Sequence, residues 1–208
     1  RSQTLAQHAW GLAVIAFQKG LGTVEDKVAR VRAVAPLVGQ SVGLDERTMA
    51  ALQSALPLFK ADLATGMVDE LPELEGVMGR SYALEEGLSP AAAQALEDAV
   101  LPKVSGGALP AGDAGAVVSV CDRLDTLLGF FALGKRPSGS ADPFGLRRAA
   151  NGLVRVLTAN AWDVSLRDLV AMVAEGYADA DVDASEDVRL EVERFVWDRV
   201  ASLLADEG

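Results

Sequence analysis

Two aspartates mark the places in the sequence where metal chemistry would be expected. Asp122 lies in the segment VCDRLDTL, on a helical seam of valine and leucine, and Asp62 follows Phe59 by three residues beside a second apolar seam. Acidic side chains at the margin of a helical core are what a helix bundle needs to hold a metal ion. An ordinary amphipathic helix also carries acids where its polar face begins. The spacing alone favours this ordinary interpretation.

Both segments resemble motifs of the HD-type phosphohydrolases. VCDRLDTL is similar to the helix that supplies the final aspartate of those enzymes, and LFKADL, residues 58–63, lies where they carry an adjacent histidine and aspartate. Such enzymes hold a metal ion with several imidazoles and two carboxylates, while one coordination site stays open for water. The resemblance implies a degenerate metal site in which Asp62 and Asp122 stand at the two carboxylate positions.

The imidazoles of such a site have no counterpart in this chain. The single histidine is His8, and Lys60 and Ala61 stand directly before Asp62. The first long helix offers Lys27 and two arginines instead of histidines. A cation at a metal site repels the metal. We therefore expect neither a bound metal nor hydrolysis, and we interpret His8 as a surface or packing residue.

Other catalytic constellations are equally incomplete. Cys121 lies on an apolar face with no histidine near it in sequence, which favours a buried, inert thiol over a nucleophile. The sequence contains no phosphate-binding loop and no dinucleotide fingerprint. A single cysteine cannot form an intrachain disulfide, which fits a reducing compartment. With no secretory signal and no apolar run of roughly 20 residues, we expect a soluble, cytoplasmic protein without a membrane partner.

The composition predicts an all-α protein. Half of its residues are hydrophobic, with alanine, leucine and valine dominant and isoleucine and the aromatics scarce. Apolar residues recur every three to four positions after Thr23, and Ser89-Pro90 and Asp142-Pro143 are typical helix starts. No period-two alternation is long enough to predict a sheet. We therefore expect a helical bundle.

The charge divides the chain into two parts. Residues 163–208 contain 13 acidic and 4 basic residues, and they carry most of the net charge of −11. We expect one helical domain over residues 1–162, followed by an acidic helical extension over residues 163–208. Because the chain starts without methionine and stops abruptly at Gly208, we also expect it to be a fragment of a larger protein.

One short stretch is basic against this acidic background. Between residues 135 and 155 the only acid is Asp142, whereas the cations are Lys135, Arg136, Arg147, Arg148 and Arg155. Arginine forks suit phosphate oxygens, and a glycine-rich loop before a helix start offers backbone donors to the same anion. This basic strip is therefore our candidate for RNA contact. Alternatively, Arg147 or Arg148 pairs with an aspartate of the chain itself and fixes the loop against the bundle. The aspartates in question are Asp142, Asp122 and Asp125.

Four stretches of the chain, taken together, resemble a known family. They are FQKGLGTVEDKVARV (17–31), FKADLATGMVDELPELEGVMGRSYA (59–83), LPKVSGGALP (101–110) and VCDRLDTLLGFFALGKRPSGSADPFGLRRAANGLVRVL (120–157). In order and spacing they are similar to the β subunit of bacterial glycyl-tRNA synthetases of the α2β2 type. The resemblance covers residues 17–157 and extends more weakly over residues 162–207.

This resemblance implies a function and a set of partners. In that family the region is a degenerate HD-like helical bundle ahead of the anticodon-binding domain, and the separate α subunit uses ATP and Mg²⁺. We expect a non-catalytic module of glycine–tRNA ligase that has no cofactor of its own. It would contact glycine tRNA through the basic strip, scaffold the remainder of the β subunit and meet the α subunit. Two alternatives stay open: a residual HD phosphohydrolase that uses Asp62 and Asp122, and a pure protein–protein scaffold.

The hydrolase alternative can be tested through its metal. We expect the purified protein to hold no stoichiometric transition metal and to show no phosphatase turnover, because the imidazole ligands are missing. Elemental analysis and a phosphatase assay on the wild type and on Asp122→Ala measure this. Stoichiometric metal, together with turnover that Asp122→Ala abolishes, would show a working HD site.

Overall fold

The computed structural model describes residues 3–139, 141–178, 180 and 182–206, and Ser140 of the predicted glycine-rich loop lies outside them. Within these ranges the chain folds into ten α-helices and one short hairpin. The helices are α1 (Leu5–Ala9), α2 (Val24–Ser41), α3 (Glu46–Ala55), α4 (Gly66–Glu70), α5 (Val77–Glu85), α6 (Pro90–Asp98), α7 (Asp113–Ala132), α8 (Leu146–Asn160), α9 (Leu166–Ala174) and α10 (Glu186–Asp206). The strands are β1 (Ala16–Gln18) and β2 (Gly22–Thr23). The mostly helical architecture confirms the all-α prediction, and none of the described helices combines the length and apolar character that a membrane span requires.

Helix α7 is the centre of the fold. Its residues Val117, Leu124 and Leu128 are fully buried, and helices α2, α3, α6 and α8 pack around it. Apolar residues occur on most sides of this helix rather than along one stripe, a pattern typical of a helix buried inside a bundle. The same helix therefore also places Asp122 and Asp125 in the interior. A charged group there must find partners inside the protein.

Helix α2 supplies those partners. It begins with a capping box, in which Thr23 Oγ1 accepts a hydrogen bond from Asp26 N and the Asp26 carboxylate accepts one from Thr23 N. The predicted stripe of valines, spaced by three or four residues, is buried against the core. The next positions around the helix bring Lys27 and Arg30 against α7, where both side chains are buried.

The expectation that the chain contains no sheet is wrong at one place. Strands β1 and β2 pair in antiparallel fashion, with Ala16 opposite Thr23. Gly20 in the connection and Gly22 at the start of β2 have φ of 93° and 80°, a conformation that glycine adopts without strain. Strands of three and two residues are too short for an alternating pattern to appear in the sequence.

Helix α8 begins later than its sequence predicts. Asp142-Pro143 has the composition of a helix start, but α8 starts at Leu146, and Gly145 before it has a φ of 65°. Asp142 nevertheless caps the helix, since its carboxylate accepts hydrogen bonds from Leu146 N at 2.8 Å and Arg147 N at 2.9 Å. The predicted capping residue is thus correct, while the helix boundary is not.

Helices α9 and α10 form the described part of the acidic segment 163–208. Leu169 and Val173 of α9 and Val192 and Val196 of α10 are buried in the same hydrophobic core as α7. Helix α10 packs against α7, α8 and α9. The acidic segment therefore contributes apolar residues to the bundle, and a domain boundary near residue 162 stays a prediction.

Gly115 on α7 packs directly against α6, and its substitution tests this contact. A β-carbon at Gly115 would meet Asp98 Cβ and lie 3.1 Å from Ala95 O. We expect Gly115→Ala to destabilise the protein by about 1–3 kcal/mol, because overpacking outweighs the gain in helix propensity. Gly66→Ala is the matched control, since its added carbon meets nothing within 4 Å, and it should be neutral or slightly stabilising. Urea unfolding measures both, and equal stability of the two variants would contradict tight packing here.

Candidate functional site

A buried ion network joins helices α2 and α7. Lys27 Nζ lies 3.0 Å from Asp125 Oδ2 and 3.2 Å from Asp122 Oδ1, and it donates a hydrogen bond to Thr126 Oγ1 at 2.8 Å. Arg30 Nε donates to Asp125 Oδ1 at 2.7 Å. Lys27 is 3% exposed and Asp125 1%, so the charges compensate one another away from water. The two aspartates of the VCDRLDTL segment are therefore neutralised by cations of the chain itself.

A second lysine approaches Asp122 from the other side. Lys60 Nζ lies 3.8 Å from Asp122 Oδ2 and 3.2 Å from Glu75 Oε1. Burial opposes the charge of Lys60, but the two carboxylates outweigh burial and raise the pKa of its ammonium group. Burial likewise opposes the charge of Asp122, but Lys27 and Lys60 outweigh it and hold the pKa of this carboxyl below its usual value. Both groups are therefore charged at neutral pH, and each is paired.

Asp62 has a different role from Asp122. Its Oδ2 accepts hydrogen bonds from Gly76 N at 2.6 Å and Gly79 N at 3.0 Å, at the start of helix α5. Burial raises the pKa of the Asp62 carboxyl, and the two backbone donors act against that rise. A β-carbon at Gly76 would lie 2.6 Å from Val100 Cγ2, so this glycine permits the close approach of backbone. Asp62 thus binds the N-terminus of helix α5 and holds this helix in place.

The described residues include no group of three or more His, Cys, Asp or Glu side chains arranged to hold a metal ion. The single histidine also lies elsewhere in a packing role. His8 Nδ1 lies 3.2 Å from the carbonyl oxygen of Ala64, where α1 packs on the turn after Asp62. Cys121 is fully buried, and burial raises the pKa of its thiol. Metal ligation and thiol chemistry therefore have no arrangement to support them in the described part of the chain.

Arg136 and Arg147 of the predicted basic strip bind other parts of the chain. Arg136 forms an ion pair with Glu191 of α10, and its Nη1 donates to Phe131 O at 3.0 Å. Arg147 donates from Nη2 to Gly139 O at 2.7 Å and thereby fastens its own loop. The predicted internal pairing of Arg147 or Arg148 with an aspartate is not among the ion pairs of the described residues, where the paired strip residue is Arg136, with Glu191.

The other three members have different surroundings. Lys135 Nζ lies 4.6 Å from the centre of the Phe144 ring, and Arg155 Nη2 donates to Gly107 O at 3.0 Å. Arg148 is exposed and makes no hydrogen bond or ion pair with the residues that the structure describes. Arg148 and Arg155 line one narrow cavity of about 160 Å³, as their spacing of seven residues along a helix predicts. Arg148 is therefore the strip residue with its charge most available to a ligand.

Arg148 also lines a larger open cavity of about 490 Å³, which we call the Arg148 cleft. Phe144 forms part of its wall, and its charged lining residues are Lys60, Lys103, Arg123, Arg148, Glu73, Glu75 and Asp122. Cations thus exceed anions by one at this place in a chain whose net charge is −11. The sequence pattern had pointed to neither Lys103 nor Arg123, although both lie inside stretches that carried the family resemblance.

Comparisons with known proteins agree on one family. The profile of the family described as "Glycyl-tRNA synthetase beta subunit" matches residues 1–208. A protein of Methylobacillus flagellatus named glycine–tRNA ligase beta subunit is 40% identical over 209 residues, which cover 100% of this chain and 29% of that protein. Proteins with the same name from Janthinobacterium sp. (38% identical, 100% of this chain and 29% of that protein) and Desulforamulus reducens (40%, 99% and 30%) are similarly close.

The class of protein that these matches define is that of the aminoacyl-tRNA synthetase subunits. The chain belongs to the glycyl-tRNA synthetase β-subunit family, which confirms the resemblance seen in the sequence. It spans about 30% of the length of the curated relatives that it matches.

The pairing of Asp122 predicts how stability depends on pH. The folded-state pKa of Asp122 is below the ordinary value of 3.8, so its pairing stabilises the fold above pH 3.8 and is lost as the pH falls through the folded-state value. We expect Asp122→Asn to cost on the order of 3 kcal/mol at pH 7, because Lys27 and Lys60 lose a buried partner. Between pH 5 and pH 3 the variant should lose less stability than the wild type. Urea unfolding at each pH measures this, and parallel pH profiles would contradict the pairing.

Proposed function

We propose that this chain is a non-catalytic module of the glycyl-tRNA synthetase β subunit that contacts glycine tRNA and scaffolds the rest of the subunit. The observation that carries the proposal is the Arg148 cleft, a local excess of cations in an acidic member of a tRNA-ligase family. RNA presents a continuous row of phosphates, and cations that contact them supply much of the affinity. The proposed partners are glycine tRNA, the remainder of the β subunit and the α subunit, all in the cytoplasm.

We propose the following division of labour within the basic strip. Arg148, which lines the cleft, and Lys135, which lies against the Phe144 ring of the cleft wall, are the primary phosphate contacts, since no carboxylate of the described chain pairs with them. Arg147 and Arg155 are secondary contacts, because each already donates to a backbone carbonyl but keeps an uncompensated charge. Arg136 contributes least, because Glu191 neutralises it.

We further propose that the bundle is HD-like and that its metal site is degenerate. Support comes from the surroundings of the two aspartates at the corresponding positions. Asp122 lies between Lys27 and Lys60, and Asp62 accepts hydrogen bonds from backbone amides. A metal ion would compete with two ammonium groups for Asp122. On this proposal the chain itself uses no cofactor, and ATP and Mg²⁺ belong to the α subunit; no observation on the described residues favours a hydrolase.

Binding to glycine tRNA tests the proposal. We expect Arg148→Ala and Lys135→Ala each to weaken binding by about 3–10-fold at low salt, because each substitution removes a cation that binds phosphate. The slope of log K against log salt should fall in magnitude by about one for each such cation removed. Filter binding or fluorescence titration with transcribed glycine tRNA, across a salt series, measures both quantities.

The matched control is Arg167→Ala. Arg167 is an exposed arginine on α9 that pairs with Glu193 and does not line the cleft, so its loss should leave affinity within about twofold of the wild type. Arg136→Ala should resemble this control. Equal affinity of all four variants and the wild type would reject the tRNA contact and leave the pure scaffold as the better account.

A further inference from the structure

Arg123 is a buried cation that has no counter-ion among the described residues. It projects from helix α7 and is 8% exposed, yet it forms no ion pair with any residue that the structure describes. Its Nη2 donates to Pro102 O at 2.8 Å, while its buried Nε has no hydrogen-bond partner. A buried guanidinium group normally has a carboxylate or phosphate partner, because an unpaired charge in the interior is costly.

The nearby acids do not fill this role. Burial lowers the pKa of Arg123, and the charges of Asp122 and Glu75 act against that change from a distance. Both acids make their close contacts elsewhere, since Lys27 and Lys60 hold Asp122, and Lys60 holds Glu75. Arginine remains protonated in proteins even when it is buried. The wall of the Arg148 cleft therefore carries a positive charge that forms no ion pair with a described side chain.

Within the part of the chain that the structure describes, two further cations of the cleft also have no carboxylate partner. Lys103 Nζ donates hydrogen bonds of 2.6 Å to the backbone carbonyl oxygens of Glu73 and Glu75. These neutral groups do not compensate the positive charge of the lysine. Arg148 folds back over Gly145, where a β-carbon would lie 2.8 Å from its Nη2. Glycine at this position thus leaves room for the guanidinium group at the mouth of the cleft.

We propose that the Arg148 cleft binds a phosphate group, with Arg123 at its wall and Lys103 and Arg148 as further ligands. A volume of about 490 Å³ accommodates the phosphate together with an attached nucleoside. Phe144, which is 38% exposed, offers the sugar or base an apolar surface on the same wall. The phosphate comes either from RNA or from a free nucleotide. Only the first source rests on the proposed function, and the site itself can be tested with inorganic phosphate alone.

The first experiment compares inorganic phosphate with chloride at equal ionic strength. We expect phosphate at about ten times its Kd to raise the melting temperature of the wild-type protein by roughly 2–5 °C, because it binds the folded state. Isothermal titration with inorganic phosphate gives the Kd directly. A melting temperature that is the same in both salts, with no heat of binding, would overturn the proposal.

The decisive variant is Arg123→Met, which keeps the length of the side chain and removes its charge. In chloride it should melt at the same temperature as the wild type or higher, because an uncompensated buried charge is gone. In phosphate it should show no further stabilisation. A structural role for Arg123 predicts the opposite pattern, a lower melting temperature in chloride with the phosphate response intact.

Two milder variants keep the test valid if Arg123→Met fails to fold. Arg148→Ala and Lys103→Ala should each weaken the binding of inorganic phosphate by about 3–10-fold. Arg167→Ala, away from the cleft, is the matched control and should leave the Kd unchanged. Unchanged affinity in both cleft variants would place any phosphate binding elsewhere and reject the site.

Competition then identifies the source of the phosphate. If glycine tRNA displaces bound phosphate and its own affinity falls in Arg148→Ala, the phosphate belongs to RNA. If adenosine monophosphate displaces it and tRNA does not, the cleft binds a free nucleotide, and the proposed function fails while this site stands. Binding of either ligand that Arg123→Met and Arg148→Ala leave unaltered would count against the site.

Discussion

The pairing of Lys27 on helix α2 with Asp122 and Asp125 on helix α7 is the interaction on which the rest of the structure depends. Two carboxylates inside a bundle are tolerated only with cations beside them, and Lys27 and Arg30 fix α2 against α7 in one register. Tyr177 extends this network by donating a hydrogen bond to Asp125 O, so the segment after α9 joins the same core. Removing one partner of such a buried pair typically costs about 3–5 kcal/mol.

The same ion network determines the local charge of the Arg148 cleft. Asp122 is bound by Lys27 and Lys60, so the negative charge of this aspartate is already compensated. The guanidinium group of Arg123 beside it donates to Pro102 O and has no carboxylate partner among the described residues. An acidic protein can in this way present a positive cavity, because the position of each charge, and not the sum, determines the local field.

The sequence predicted those features that arise within a few neighbouring residues. The valine stripe of helix α2 after Thr23 and the helix start at Asp142-Pro143 have such local signals. Contacts between distant residues could not be predicted in this way. Lys27 and Asp125 are 98 positions apart, and Arg136 and Glu191 are 55 apart, so nothing in the basic strip itself separates paired cations from unpaired ones. No sequence signal marked Arg123, which is one residue inside the segment VCDRLDTL.

Lys27 and Lys60 also limit which amino-acid substitutions this protein can tolerate. A histidine at either position would replace a long ammonium side chain with a shorter imidazole that cannot reach both carboxylates, and without further ligands it would gain no metal ion in return. Each single variant is therefore expected to be less stable than the wild type. The whole free energy of unfolding of a protein is only about 5–15 kcal/mol. A metal site at this place would therefore need several ligands introduced together, since each ligand alone costs stability and binds no metal.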